Sequence, residues 1–122
     1  MRLNDVAFGA QRPIEGYGAG GFRIAGRVHD GPLLALPGRA LAWTPAEPLD
    51  AASFAEIVAL APTLDVVLVG VGAEIAPLPP EARAALEAAG LWPEVMATPS
   101  ACRTYNVLIA EERRVAAALL PV

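Results

Sequence analysis

An α/β fold with a mixed central sheet is predicted by three features of the 122-residue chain. The first third carries short apolar runs broken by turn residues, the pattern of an N-terminal β-meander. The remainder alternates strand-like and helix-like segments, the pattern of two βαβ units. Within it, Asp65-Val66-Val67-Leu68-Val69-Gly70 is apolar almost without a break, as a strand buried on both faces must be. With 55% hydrophobic and 18% charged residues, the composition supports one packed domain over residues 1–122.

Residues 1–13 lack periodicity and are expected to form a loosely held arm. From Ile14 the pattern turns β-like, with Phe22, Ile24 and Val28 spaced as strand residues. His29-Asp30-Gly31-Pro32 signals a turn, because Asp-Gly favours tight reversal and Pro cannot continue a ladder. Leu33-Leu34-Ala35-Leu36 follows as a strand, Pro37-Gly38 ends it, and Leu41-Ala42-Trp43 reads as the next. Asp50 or Ser53 can cap a helix whose apolar stripe is Phe54, Ile57, Val58 and Leu60. After the buried strand, Pro79-Pro80-Glu81 opens a second helix that Gly90 stops. Glu94–Ala97 is another strand, a helix starts near Thr98, and Val115–Leu120 is the last strand. Sheet connections of this kind make the later strands parallel.

Charge and composition exclude several functions. The net charge is −4 with no basic run, so binding to a nucleic-acid backbone is not expected. No apolar run reaches the ~18 residues of a membrane helix, and the first residues lack the apolar stretch of a signal peptide, so a cytoplasmic protein without membrane insertion is expected. One Cys and one His cannot supply a four-ligand zinc site. Lysine is absent, which removes a phosphate-binding Walker lysine, a Schiff-base lysine and a serine–lysine dyad.

Several motifs invite a chemical reading. Gly16-Tyr17-Gly18-Ala19-Gly20-Gly21 contains G-x-G-x-x-G, but strand-like Phe22-Arg23-Ile24 follows where a dinucleotide site needs a helix. A bulged or sharply turning β-segment explains these glycines better. Cys102 with His29 could form a nucleophile and base, yet Cys102 flanks an apolar helix face where a buried, inert thiol is commoner. No residue set points to a catalytic triad. In Thr98-Pro99-Ser100-Ala101-Cys102-Arg103-Thr104-Tyr105-Asn106, Thr98 is expected as the helix cap and Pro99 as the first helical residue. Ala101, Tyr105 and Leu108 share the core-facing side, Arg103 points away from it, and Asn106 lies on the boundary. Glu111 and Glu112 are available to pair with Arg113 and Arg114.

Gly70-Val71-Gly72 is the better-placed glycine pair. If the strands ending at Gly70 and Ala97 are parallel, their carboxyl ends open on one edge, where α/β sheets bind ligands. The Gly70–Gly72 loop would then face the helix start at Thr98, whose free N–H groups attract anions. A small anion held by Thr98, Ser100 and Arg103 is one reading of this edge.

The same residues resemble a known family. Gly21-Phe22-Arg23-Ile24-x-Gly26, Leu68-Val69-Gly70-x-Gly72, Thr98-x-x-Ala101-x-Arg103-Thr104-Tyr105-Asn106 and Glu112-Arg113-Arg114-Val115 run in the order of a small α/β family. That family includes the mitochondrial assembly factor for respiratory complex I and the adipogenesis-associated protein of animals, and the chain looks like a bacterial member. The resemblance implies a three-layer fold, no established enzyme activity and no cofactor. It implies protein partners, complex I subunits or assembly proteins, with weak self-association also allowed. Arg103, Asn106, Arg113 and Arg114 are then candidates for an interface.

Two functions follow, with different signatures. An interaction factor should expose an apolar or Arg-rich patch. A small-anion binder or enzyme should enclose Arg103 and Asn106 in a concave pocket at the Gly70, Gly72 and Thr98 edge.

Overall fold

A computed structural model describes the backbone of residues 5–7 and the whole of residues 10–122. The strands are β1 (Asp5–Ala7), β2 (Ile14–Gly18), β3 (Gly21–Ile24), β4 (Arg27–Asp30), β5 (Leu33–Leu36), β6 (Arg39–Ala42), β7 (Val66–Gly70), β8 (Pro93–Met96) and β9 (Val115–Leu119). The helices are α1 (Ala55–Ala59), preceded by a 3-10 turn over Ala51–Phe54, α2 (Pro80–Ala88) and α3 (Thr98–Ala110). Six strands form a mixed sheet in the order β1-β6-β5-β9-β7-β8, and β2-β3-β4 form a second, antiparallel sheet.

Strand periodicity divides the interior into two cores. Alternate side chains of a strand point to opposite faces. On one face Leu33, Ala35, Leu68, Val115, Ala117 and Leu119 meet Ala101 and Tyr105 of α3 and Phe22 and Ile24 of the small sheet. On the other, Leu34, Leu36, Val67, Val69, Ala116 and Ala118 meet Phe54, Ile57, Ala82 and Leu86 from α1, α2 and the turn before α1. This gives three layers: α1 and α2, the central sheet, then α3 with the small sheet. β7 pairs in parallel with both β8 and β9, so β7-α2-β8 and β8-α3-β9 are the two expected βαβ units.

The meander differs in detail. Phe22, Ile24 and Val28 do not share a strand, because Ala25 and Gly26 take positive φ of 52° and 74° and fold the segment into the β3–β4 hairpin. Ala19 and Gly20, at φ 52° and 80°, make the same kind of reversal between β2 and β3, with a register shift between Ile14 and Gly16. The glycine-rich stretch is therefore a bulged hairpin, and the meander supplies a separate sheet as well as β5 and β6. The expected loose arm over residues 1–13 falls partly outside the described residues. Where it is described, Asp5–Ala7 pair with Arg39–Leu41, and the Gln11 side chain bonds both backbone polar groups of Val115.

Local chemistry explains the helix ends. Asp50 and Ser53 form a reciprocal capping box, each side chain accepting from the other's backbone N–H. At the end of α2, Gly90 donates to Glu87 and Leu91 donates to Leu86, a Schellman closure with Gly90 at φ 83°. α3 closes the same way, with Glu112 donating to Ile109 and Arg113 to Leu108, but Glu112 holds the left-handed position at φ 63°.

Candidate functional site

The parallel pairing of β7 with β8 brings Gly70, Gly72 and Thr98 together at one edge, as the sequence predicts. Their contact closes that edge. The N–H of Thr98 donates to the Gly72 carbonyl at 2.8 Å, and the Gly72 N–H donates to Thr98 Oγ1 at 2.9 Å. Thr98 Oγ1 then donates to the Leu120 carbonyl at 2.7 Å. Thr98 is fully buried and makes no side-chain cap; Ala97 occupies the cap position. Its hydroxyl ties the ends of β7 and β9 to the start of α3. Pro99 has no N–H, so the donors expected to face an anion here are largely committed to the fold.

The other candidates scatter. Ser100 lies in the first turn of α3 and Arg103 in the second, where Arg103 reaches Ser100 Oγ at 3.4 Å and Tyr17 Oη at 3.5 Å. Asn106 turns inward: its Oδ1 accepts from the Ile14 N–H and its Nδ2 donates to the Ile14 carbonyl, both at 2.8 Å. Arg113 and Arg114 lie beyond the end of α3, which closes at Ala110. Arg114 pairs with Asp65 rather than with Glu111 or Glu112: its guanidinium lies 3.9 Å from the carboxylate and its N–H donates to the same oxygen at 2.9 Å. Arg103 and Asn106 thus do not share a closed pocket.

A cleft of about 640 Å³ does open at this edge, beside Gly70 rather than on it. Val71 and Leu120, just past the carboxyl ends of the central parallel strands β7 and β9, form part of its wall. Pro32, Pro45, Pro48, Pro77 and Pro79 line much of the rest. Trp43 stands at one side, its indole N–H donating to the Ser53 carbonyl at 2.7 Å and its ring 5.6 Å from that of Phe54. Among the described residues, Glu47 is the one ionisable residue in the lining. Position by position the sequence hid this site, but four of its five prolines cluster in the two segments following β6 and β7, with Pro32 just before β5. Those are the segments that end on the carboxyl side of an α/β sheet.

A different surface carries Arg103. Tyr17, paired with inward-facing Phe22 at the sheet edge, is 42% exposed, whereas Val28 pairs with Arg23 on the outer face of the small sheet, where a shallow depression opens. Arg103 touches Tyr17, and Val107, one turn further along α3, is 58% exposed. Arg and aromatic residues beside exposed aliphatics have the composition of an interface core.

The two nucleophile-and-base candidates are both sealed. Cys102 is buried, and desolvation pushes its thiol up to about 11, with the Arg103 charge pulling weakly the other way. His29 is the inward-facing residue of β4, paired with Phe22. Burial, then the charge of Arg27, lowers its pKa. The Ile24 backbone is near, yet neither ring nitrogen is in hydrogen-bonding geometry with a described residue.

The family described as Protein of unknown function (DUF498/DUF598) matches residues 14–120. An uncharacterized protein of Rhodobacter capsulatus is 48% identical over 122 residues, covering all of this chain and 94% of its own. NADH dehydrogenase (ubiquinone) 1 alpha subcomplex assembly factor 3 of Mus musculus is 36% identical over 110 residues. That match covers 88% of this chain but 60% of the mouse protein. The crystal structure of an outer membrane protein from Bartonella henselae superposes with a TM-score of 0.83 at 33% identity, over 94% of this chain and 98% of that one. Among the described residues, no helix is long and apolar enough to cross a membrane.

Proposed function

The chain belongs to the DUF498/DUF598 family and resembles NADH dehydrogenase (ubiquinone) 1 alpha subcomplex assembly factor 3, and from that premise we propose that it works by binding protein partners. The observation that carries this reading is the exposed cluster of Tyr17, Arg103 and Val107, where Arg103 on α3 meets Tyr17 at the edge of the small sheet. It combines apolar area with Arg and Tyr, the residues that anchor interfaces. The partners we assign to it are complex I subunits or their assembly proteins. Catalysis has less support, because the candidate thiol and imidazole are buried away from both the cleft and this face.

The small-anion alternative needs donors at the start of α3, and those of Thr98 and Gly72 bond each other. Asn106 is likewise committed to Ile14, so it is unsuitable as an interface probe. The test uses exposed positions instead. Arg103→Glu and Val107→Asp should leave the melting temperature close to that of the unmodified chain. Affinity capture from the native bacterium should recover complex I subunits or assembly proteins with the unmodified chain and lose them with either variant. NADH:quinone activity should fall in a deletion strain and return with the unmodified gene only. Normal complex I in that strain, with no complex I protein captured, overturns the proposal.

A further inference from the structure

We propose that the proline-lined cleft at the carboxyl ends of β7 and β9 is a binding site for an apolar small molecule with a neutral or cationic head. Position, size, polarity and charge each support this. The cleft lies where α/β sheets place their ligands, beyond the carboxyl ends of adjacent parallel strands. At about 640 Å³ it falls within the ~300–1,000 Å³ typical of small-molecule sites.

Its backbone argues against an extended peptide as the occupant. Peptide strands bind by exchanging main-chain hydrogen bonds. Five lining residues are prolines and have no N–H to give. The N–H groups of Trp43, Ala46, Val71 and Leu120 already donate to Pro32, Ser53, Met96 and Gly70. A peptide backbone entering here would find most of the lining's N–H groups absent or already committed, leaving its carbonyls short of donors in apolar surroundings. A hydrocarbon chain or ring asks for no such partners. Glu47, exposed in the lining, disfavours an anionic head and favours a cation.

The test uses decanol, decylammonium and decanoate, each below its micelle concentration. Trp92, 71% exposed and outside the cleft, is first replaced by Phe, which leaves Trp43 as the only indole. Decanol and decylammonium should change Trp43 emission saturably and shift the amide resonances of Val71 and Leu120. Decanoate should bind about two- to fivefold more weakly than decylammonium, the scale of one exposed charge pair. Glu47→Gln should remove that preference. Ala46→Phe, at an exposed lining position, should obstruct part of the cleft and weaken binding at least several-fold without lowering the melting temperature. Absence of saturation, shifts that spare Val71 and Leu120, insensitivity to Ala46→Phe, or a preference for decanoate would each overturn the proposal. Partner capture through the Tyr17 and Arg103 face is indifferent to Ala46→Phe, so the two proposals fail independently.

Discussion

The carboxamide of Asn106 grips Ile14 as a strand neighbour would, accepting from its N–H and donating to its carbonyl at 2.8 Å each. Residues 92 positions apart are joined, and the small sheet is fixed to α3 where β2 begins. Asn106→Ala leaves both backbone groups part-buried without these bonds. The expected loss is about 1–3 kcal/mol, measured as a lower urea midpoint with an unchanged slope. Asn106→Asp keeps an acceptor for the N–H but sets a carboxylate against the Ile14 carbonyl, so it should be no more stable than Asn106→Ala. An Asp variant as stable as the parent would show that the donated bond contributes nothing.

Gly70 is the tighter of two contrasting glycines. A Cβ there would lie 2.9 Å from Leu119 Cδ2 and 3.0 Å from both Thr98 Cα and Thr98 Oγ1. Gly20 has open space around it and a φ of 80°, which Asn tolerates. Gly70→Val should destabilise by ~1–3 kcal/mol or more through overpacking and displacement of Thr98. Gly20→Asn should change stability by less than ~0.5 kcal/mol. Equal urea midpoints for the two variants would contradict the close approach of β7 to Thr98.

Much of this fold was legible because its signals are strong and local. Val66–Gly70 reads as a doubly buried strand, Asp50 and Ser53 as a cap, and Pro80 and Gly90 as helix limits, and each follows from one dominant physical effect. The β3–β4 hairpin was hidden because Ala25-Gly26 is not the Asn-Gly or Asp-Gly pair that usually makes such turns. Thr98 looked like a cap because Thr before Pro is a good one; its actual partners, Gly72 and Leu120, are distant in sequence. The same limit applies to Asn106. A polar side chain shows its capacity for hydrogen bonds, while the tertiary fold decides whether backbone or ligand receives them. The meeting of Gly70, Gly72 and Thr98 at one sheet edge was therefore predictable, but the residues lining the cleft beside it were not.

Two left-handed positions occupied by ordinary residues should yield to design. Ala25 sits at φ 52° in its hairpin and Glu112 at φ 63° at the end of α3. Non-glycine residues with a Cβ pay roughly 1–2 kcal/mol for that region, and Asn or Gly pays less. Ala25→Asn and Glu112→Gly should each raise stability by about 0.5–1 kcal/mol, seen as a higher melting temperature in calorimetry. A drop for both would mean that these side chains make contacts worth more than the strain.

Cys102 should behave as a small apolar residue. With its pKa raised to about 11, only about one molecule in a thousand carries the thiolate at pH 8. A disulfide reagent such as DTNB should react with the native protein only as fast as the fold opens, and at once in urea. Rapid stoichiometric labelling of the native chain would contradict the burial and reopen a role for the thiol.

His29 makes stability depend on pH in a direction that follows from its environment. Its folded pKa is lowered, first by burial and then by Arg27. The unfolded chain takes up the imidazole proton as pH falls through about 6.5, while the folded chain takes it up only at lower pH. Across that window the unfolded state binds more protons, so stability rises with pH. The contribution is fully present above about 6.5 and is lost as pH falls from there towards the folded value. Protonation would also place a charge among buried side chains beside Phe22, with neither ring nitrogen hydrogen-bonded to a described residue. Asp50 is lowered as well, by its bonds to Ser53, but it acts below the ordinary carboxylate range and leaves this window clear. Urea melts between pH 8 and 5.5 should show the unmodified chain weakening on the acid side. His29→Leu should be flatter, and because neither ring nitrogen is in hydrogen-bonding geometry with a described residue, it should fold with little cost at pH 8. Parallel pH profiles for the two chains would show that His29 is not the titrating group.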